Sequence, residues 1–145
     1  NKKDLFHRLM EDVTQNTLEQ WQSNLPIEGS VKKHLILMAK SLSDKIEKDH
    51  LQVMLINRAV ADSQDDEELR QIMLSHFHSY VLFLEKLIRK GIRDKEFRKG
   101  LNVQHAAWQL MSPGLAYSAT QGLGIDKKSK SNTLVSVYEV ILNSW

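Results

Sequence analysis

The 145-residue sequence contains no cysteine, only two prolines and only six glycines. The lack of cysteine excludes disulfides, thiolate metal sites and cysteine nucleophiles, and it is typical of a reducing cytoplasm. The small number of helix-breaking residues leaves long stretches of good helix formers. No stretch of the sequence alternates β-branched and polar residues, so no strand is predicted. We therefore expect an all-α fold.

Two further absences limit the function classes. No apolar run approaches the roughly 20 residues that cross a bilayer, so we predict a soluble, cytoplasmic protein without membrane contact. The 20 basic and 18 acidic residues give a net charge of +2, which is too balanced for this segment to bind DNA by itself. Nucleophile-elbow and phosphate-loop motifs are missing from the sequence. We predict neither catalytic residues nor a cofactor, and expect a protein that is not an enzyme.

Hydrophobic periodicity predicts a single helical bundle of about six helices. Asn1 and Asn102 are expected to cap the first and fifth helices, and Asp65 to start the fourth. The third helix is apolar over much of its circumference, which predicts a place inside the bundle. Pro113 is expected to kink the fifth helix. The predicted helices cover residues 1–24, 28–48, 50–61, 66–93, 102–122 and 131–145.

Methionine and aromatic side chains on these helices suggest a cavity for a small, largely apolar ligand. The flexible methionine thioether suits varied apolar ligands, although the same residues also serve to fill cores. One histidine shares the buried stripe of the fourth helix and offers a hydrogen bond to a ligand. The predicted pocket residues are Met10, Met38, Met54, Met73, His76, Phe77, Tyr80 and Trp108.

The last helix has apolar residues on more than one face. A terminal helix of this kind must bury its second face against another molecule or expose a patch prone to aggregation. We interpret the second face as a homodimer interface formed with the fifth helix. The predicted interface residues are Leu110, Leu115, Tyr117, Val135, Tyr138 and Leu142.

One spacing is of a metal-binding type. Glu47 and His50 form a Glu-x-x-His pair of the kind found in di-iron bundles, where two copies are needed. The sequence has no second copy. A helix-end ion pair is therefore the simpler interpretation, and no metal site is predicted.

Two segments carry a resemblance to a known family. Residues 1–6 (NKKDLF) resemble the sequence that follows the recognition helix in TetR-family regulators, and residues 87–98 (LIRKGIRDKEFR) are similar to the turn after that family's long central helix. Lys95 stands where the family usually has glycine. Asp94 or Lys95 is therefore expected to adopt a left-handed backbone, unless the turn differs.

The resemblance implies a regulatory domain of a transcriptional repressor. Residues 1–101 would form the ligand-sensing helices and residues 102–145 the dimerisation helices, with the last two helices pairing in a four-helix bundle across a homodimer. Operator DNA would bind only through an N-terminal helix-turn-helix domain that this chain lacks. A small effector would change the distance between the two helix-turn-helix domains of the dimer, which must bind major grooves about 34 Å apart.

Two alternatives stay open at the level of sequence. The first is a helical scaffold whose exposed apolar face binds a different protein. The second is a helical-bundle metalloprotein, although the inward carboxylates that it needs are missing.

Overall fold

The computed structural model describes residues 1–23, 29–123 and 133–145. Over these ranges the chain is all-α, and the predicted bundle of about six helices is confirmed. The predicted first-helix end at residue 24 and last-helix start at residue 131 lie outside the described residues. The elements are α1 Lys2–Ser23, α2 Val31–Lys48, α3 His50–Asp62, α4 Glu67–Arg93, α5 Val103–Thr120, a 3-10 turn Gln121–Leu123, and α6 Thr133–Asn143. None of the described helices is long and apolar enough to span a membrane.

Side-chain caps fix where the helices begin. Asn1 accepts a hydrogen bond from the Asp4 backbone N–H, and Asn102 accepts one from the His105 N–H, so both predicted caps are confirmed. Asp65 was predicted to cap α4, but the cap is the next residue, Asp66. Asp66 has the extended backbone of a cap, and its carboxylate accepts from an amide of the first turn.

The buried side chains form two clusters. The larger cluster joins Leu35 of α2, Leu84 and Ile88 of α4, Leu110 of α5 and Leu134 of α6. The smaller cluster lies between α1, α3 and α4 and is formed by Met10, Ala59, Ile72 and Met73. A cavity lies between the two clusters and provides the candidate site described below.

The prediction that α3 lies inside the bundle was wrong. Ala59 is its only buried residue, whereas Met54 is 66% exposed and Leu51 and Leu55 are also exposed. Periodicity fails here because apolar residues surround α3, so the pattern does not distinguish a buried helix from an edge helix. The helix lies at the edge of the bundle and covers the cavity with one face.

The turn after α4 contains the one positive φ among the described non-glycine residues. Lys95 has φ 61°, which confirms the predicted left-handed position. The N–H groups of Lys95 and Glu96 donate to the carbonyls of Ile92 and Gly91, the pattern of a Schellman cap. This turn directs the Glu96 carboxylate to the first turn of α2, where it accepts from the Ser30 hydroxyl at 2.6 Å and from a backbone amide at 2.7 Å.

The electrostatics of this contact favour the charged carboxylate. Partial burial raises the pKa of Glu96, but the hydrogen bonds from Ser30, Val31 and Lys32 outweigh burial, so its pKa lies below the ordinary value. The turn after α4 is thereby attached to the start of α2.

On α5, Pro113 lies inside a helix that continues through it to Thr120.

Gly91 is the glycine that packing requires. A Cβ at this position would lie 2.3 Å from two ring carbons of Phe97, well inside contact distance. The Phe97 ring is buried and meets the Trp145 ring edge-on at a centroid distance of 5.2 Å. The missing side chain at Gly91 therefore allows the C-terminal end of the chain to pack against the α4–α5 turn.

We predict that Gly91→Ala lowers the free energy of unfolding by about 1 to 3 kcal/mol, because the methyl group must displace the Phe97 ring. Gly100→Ala is the matched control, since a Cβ there would meet no atom within 4 Å. Urea unfolding of the three proteins measures the difference. Equal midpoints for the two variants would contradict the packing role of Gly91.

Candidate functional site

A cavity of about 580 Å³ lies in the centre of the bundle and receives side chains from all six helices. Its size falls within the range of roughly 300 to 1,000 Å³ that is usual for small-molecule sites. Most of the wall is apolar, but polar side chains are gathered where α1, α2 and the start of α3 meet. The cavity is thus suited to a molecule with an apolar body and a polar end.

The apolar wall comes from Leu84 of α4, Leu110 and Met111 of α5, and Tyr138 of α6. The Tyr138 hydroxyl is buried and donates to the Leu110 carbonyl at 2.7 Å. Burial raises the pKa of Tyr138, so this side chain is neutral. Because its proton is used inside the protein, this wall offers a ligand mainly van der Waals contact.

Lys45 is the cation of the cavity wall. Its Nζ donates to the Thr17 hydroxyl at 2.6 Å and so joins α2 to α1. The side chain is half-buried, and this burial lowers the pKa of Lys45, while the nearby Asp49 carboxylate partly offsets the effect. Nζ has three protons to donate, and the hydroxyl contact takes one of them.

His76 is a neutral histidine in the wall of the cavity. It is 5% exposed, and its Nδ1 lies 2.6 Å from the Thr14 hydroxyl, which itself donates to the Met10 carbonyl at 2.7 Å. Since the Thr14 proton is used for the carbonyl, the hydrogen-bond network assigns the ring proton to Nδ1 and leaves Nε2 as an acceptor. Burial, together with the charge of Lys45, lowers the pKa of His76 to about 4.

Aromatic rings form the wall between α1 and α4. The ring of Tyr80 lies edge-on to His76 at a centroid distance of 4.7 Å and is tilted against Trp21 at 5.2 Å. Burial raises the pKa of Tyr80, although the hydroxyls of Thr17 and Thr14 beside it act in the opposite direction. Tyr80 is therefore a neutral hydroxyl at the polar side of the cavity.

The predicted pocket residues separate into three groups. His76, Phe77 and Tyr80 line the cavity together. Met10 and Met73 lie in the smaller core cluster, and Met38 lies in the larger one. Met54 and Trp108 point away from the cavity, with Trp108 48% exposed, because each occupies the outer face of its helix. The prediction identified one helix of the wall correctly and did not separate core methionines from exposed ones.

The predicted interface residues also fall in different places. Leu110, Tyr138 and Leu142 are almost fully buried within the single chain, so they have little surface to give to a partner. Leu115 lines the cavity and is partly exposed, and Val135 packs against the larger core cluster.

Tyr117 has a different environment from the other predicted interface residues. Its hydroxyl donates to the Glu47 carboxylate at 2.7 Å. This contact engages one member of the Glu-x-x-His pair, and the described residues contain no group of three side chains able to hold a metal. The exposed apolar side chains of the described residues at this end are Trp108, Leu115, Leu123, Val137 and Val140.

Sequence reasoning missed Lys45 and Thr17. Lys45 lies three residues after Leu42 and next to Ile46, which both line the cavity. That spacing places Lys45 at the border of the apolar face, where its chain can reach inward. Thr17 lies midway between Val13 and Trp21, which also line the cavity, and a threonine hydroxyl gives no separate signal in a sequence.

The comparisons with known proteins give one match. Neither a protein-family model nor a curated protein matches the sequence. The crystal structure of the transcriptional regulator FadR from Bacillus subtilis in complex with stearoyl-CoA does match, with a TM-score of 0.76 and 22% sequence identity. The match covers 99% of this chain and 74% of that chain. The chain shares the all-α fold of that region.

Because the folded state lowers the pKa of His76 to about 4, from an ordinary value of 6.5, the unfolded chain binds the proton first as the pH falls. We predict that the stability contributed by the neutral ring is complete above pH 6.5 and is lost progressively toward pH 4. Between pH 7 and pH 5, the wild type should lose about 2 kcal/mol more than His76→Gln. Urea unfolding at several pH values measures both proteins.

His78→Gln is the control, because His78 is exposed on the same helix. Its pH profile should follow that of the wild type. The buried His34, whose pKa is also lowered by burial, is present in all three proteins and cancels in the comparison. Parallel profiles for the wild type and His76→Gln would contradict the assignment of a neutral, desolvated ring.

Proposed function

We propose that this chain is the effector-binding and dimerisation domain of a TetR-like transcriptional repressor. The observation that carries the proposal is the central cavity, about 580 Å³ in volume, with apolar walls and a localised polar side. Cavities of this kind are the usual sites for small molecules. The ligand is a small, largely apolar effector.

The fold supports the same proposal. The matched structure belongs to a transcriptional regulator that was crystallised with stearoyl-CoA, a ligand with a long apolar chain. About a quarter of the matched chain has no counterpart in this chain, and a segment of that length is large enough to form a DNA-binding domain. In the full-length protein, we propose, a helix-turn-helix domain precedes α1 and binds operator DNA.

α1 is the element that would transmit the signal. Its Thr17 bonds to Lys45 of α2, and its Thr14 bonds to His76 of α4, so α1 is held to two sides of the cavity by polar contacts. A ligand that enters the cavity competes for these groups. The resulting shift of α1 would change the distance between two DNA-binding heads and thereby lower operator affinity.

The homodimer proposal rests on exposed apolar side chains of α5 and α6. Trp108 of α5 is 48% exposed, and Val137 and Val140, three residues apart, share a face of α6. Val140 is 71% exposed in the single chain. Apolar faces of this kind on two adjacent helices favour pairing with the same faces of a second copy.

Filling the cavity should abolish ligand binding. Ser118 of α5 lines the cavity, whereas Ser112 of the same helix is exposed and outside it. We expect the uncharged fluorophore N-phenylnaphthylamine to bind the wild type and Ser112→Phe alike, and Ser118→Phe to bind it at least about tenfold more weakly because the phenyl ring occupies the space. Fluorescence titration gives the three affinities. Unchanged affinity in Ser118→Phe would show that the probe binds elsewhere.

A charge on α6 should dissociate the dimer. Val140→Asp would bury a carboxylate in the proposed interface, which is unfavourable by several kcal/mol for an unpaired charge. Leu5→Asp on the similarly exposed face of α1 is the control. Sedimentation equilibrium should give a dimer for the wild type and the control, and a folded monomer for Val140→Asp. A wild type that stays monomeric at high concentration contradicts the homodimer.

A further inference from the structure

We propose that the effector is an amphiphile with a carboxylate head, which binds Lys45 while its apolar chain extends toward Leu110 and Met111. The inference rests on the proposed function and specifies the ligand class. The geometry that carries it is a half-buried ammonium group at one side of a cavity whose wall is mostly apolar.

Lys45 lacks a charged partner in the part of the chain that the structure describes. Nζ donates to the neutral Thr17 hydroxyl, and no described carboxylate lies within ion-pair distance of it. Asp49 is the acid that acts on Lys45 electrostatically, and it also lines the cavity, but its carboxylate caps α3 by accepting from the Gln52 backbone N–H at 3.1 Å. A desolvated charge without a counter-ion is unfavourable, and a ligand anion would remove that cost.

The polar groups around Lys45 suit a carboxylate. The hydroxyls of Thr17 and Tyr80 hydrogen-bond to each other at this side of the cavity, which uses one of their two protons and leaves the other for a ligand. A carboxylate accepts several hydrogen bonds, and the free ammonium protons and this hydroxyl proton can supply them. The head group of the ligand therefore has both a counter-charge and donors at one place.

Part of the cavity wall suits a hydrocarbon chain. Leu84, Leu110 and Met111 offer no polar side chain, and the Tyr138 hydroxyl is already used by the Leu110 carbonyl. A second polar group on the ligand would lose its water there without a replacement hydrogen bond. This part of the cavity therefore favours the apolar chain of an amphiphile.

Lys45 also reaches the outside of the bundle, since it lines a surface groove formed by α2 and the start of α3. Lys40 and Lys48 line this groove, but so do Asp44 and Asp49. The alternation of charges is unfavourable for a group with several phosphates, such as the coenzyme A part of an acyl thioester. A free carboxylic acid fits the single cation better than a thioester does.

The test compares three probes of equal chain length, dodecanoate, 1-dodecanol and dodecanoyl-CoA, by isothermal titration on the purified protein. We expect dodecanoate to bind at least about tenfold more tightly than the other two. Lys45→Met should abolish the preference for the acid and leave the affinity for the alcohol unchanged, and Lys45→Arg should retain the preference. Lys40→Met, an exposed lysine of the same helix, should behave as the wild type.

The substitution of Lys45 by methionine keeps an unbranched side chain only one atom shorter and removes a desolvated charge, so the variant should fold. Equal binding of acid and alcohol by the wild type overturns the head-group inference and leaves the apolar cavity intact. Preferential binding of the thioester also overturns it and points to the coenzyme as the head. Binding of none of the probes, together with failure of the uncharged fluorophore to bind, overturns the proposed function itself.

Discussion

The incomplete closure of the bundle around α1 is the constraint on which the site depends. Two apolar clusters form, one on each side of the cavity, and α1 spans the gap with hydroxyl contacts to Lys45 and His76. Threonines at these positions cannot fill the space that larger apolar side chains would occupy. The hydrogen bonds to Lys45 and His76 hold α1 in place while the cavity stays accessible. The position of α1 and the proposed signalling therefore depend on the same hydrogen bonds.

Much of the architecture followed from the sequence because it depends on local rules. Helix caps such as Asn102 need one side chain and one nearby amide, and the left-handed Lys95 follows from the turn it occupies. Aromatic residues at helical spacing on α4 located Phe77 and Tyr80 in the wall of the cavity. These features involve neighbours within a few turns of the chain.

The features that escaped prediction depend on packing between distant segments. α3 is apolar on all sides, and only the folded chain shows that Met54 faces outward while other residues cover the cavity. Leu110 and Tyr138 were assigned to an interface because the last helix has apolar residues on more than one face, yet the Tyr138 hydroxyl donates to the Leu110 carbonyl in the interior. Lys45 escaped because a lysine beside an apolar stripe usually extends to solvent.

An apolar ligand that enters the cavity lies beside α5, and the methionine methyl groups report on this contact directly. The sequence has five methionines, of which Met111 lines the cavity, Met38 is buried in the larger core cluster and Met54 is exposed. In the NMR spectrum of methyl-labelled protein titrated with dodecanoate, the Met111 resonance should shift and show contacts to the ligand chain, while Met54 and Met38 stay unchanged. Ligand contacts at Met54, with none at Met111, would contradict the account.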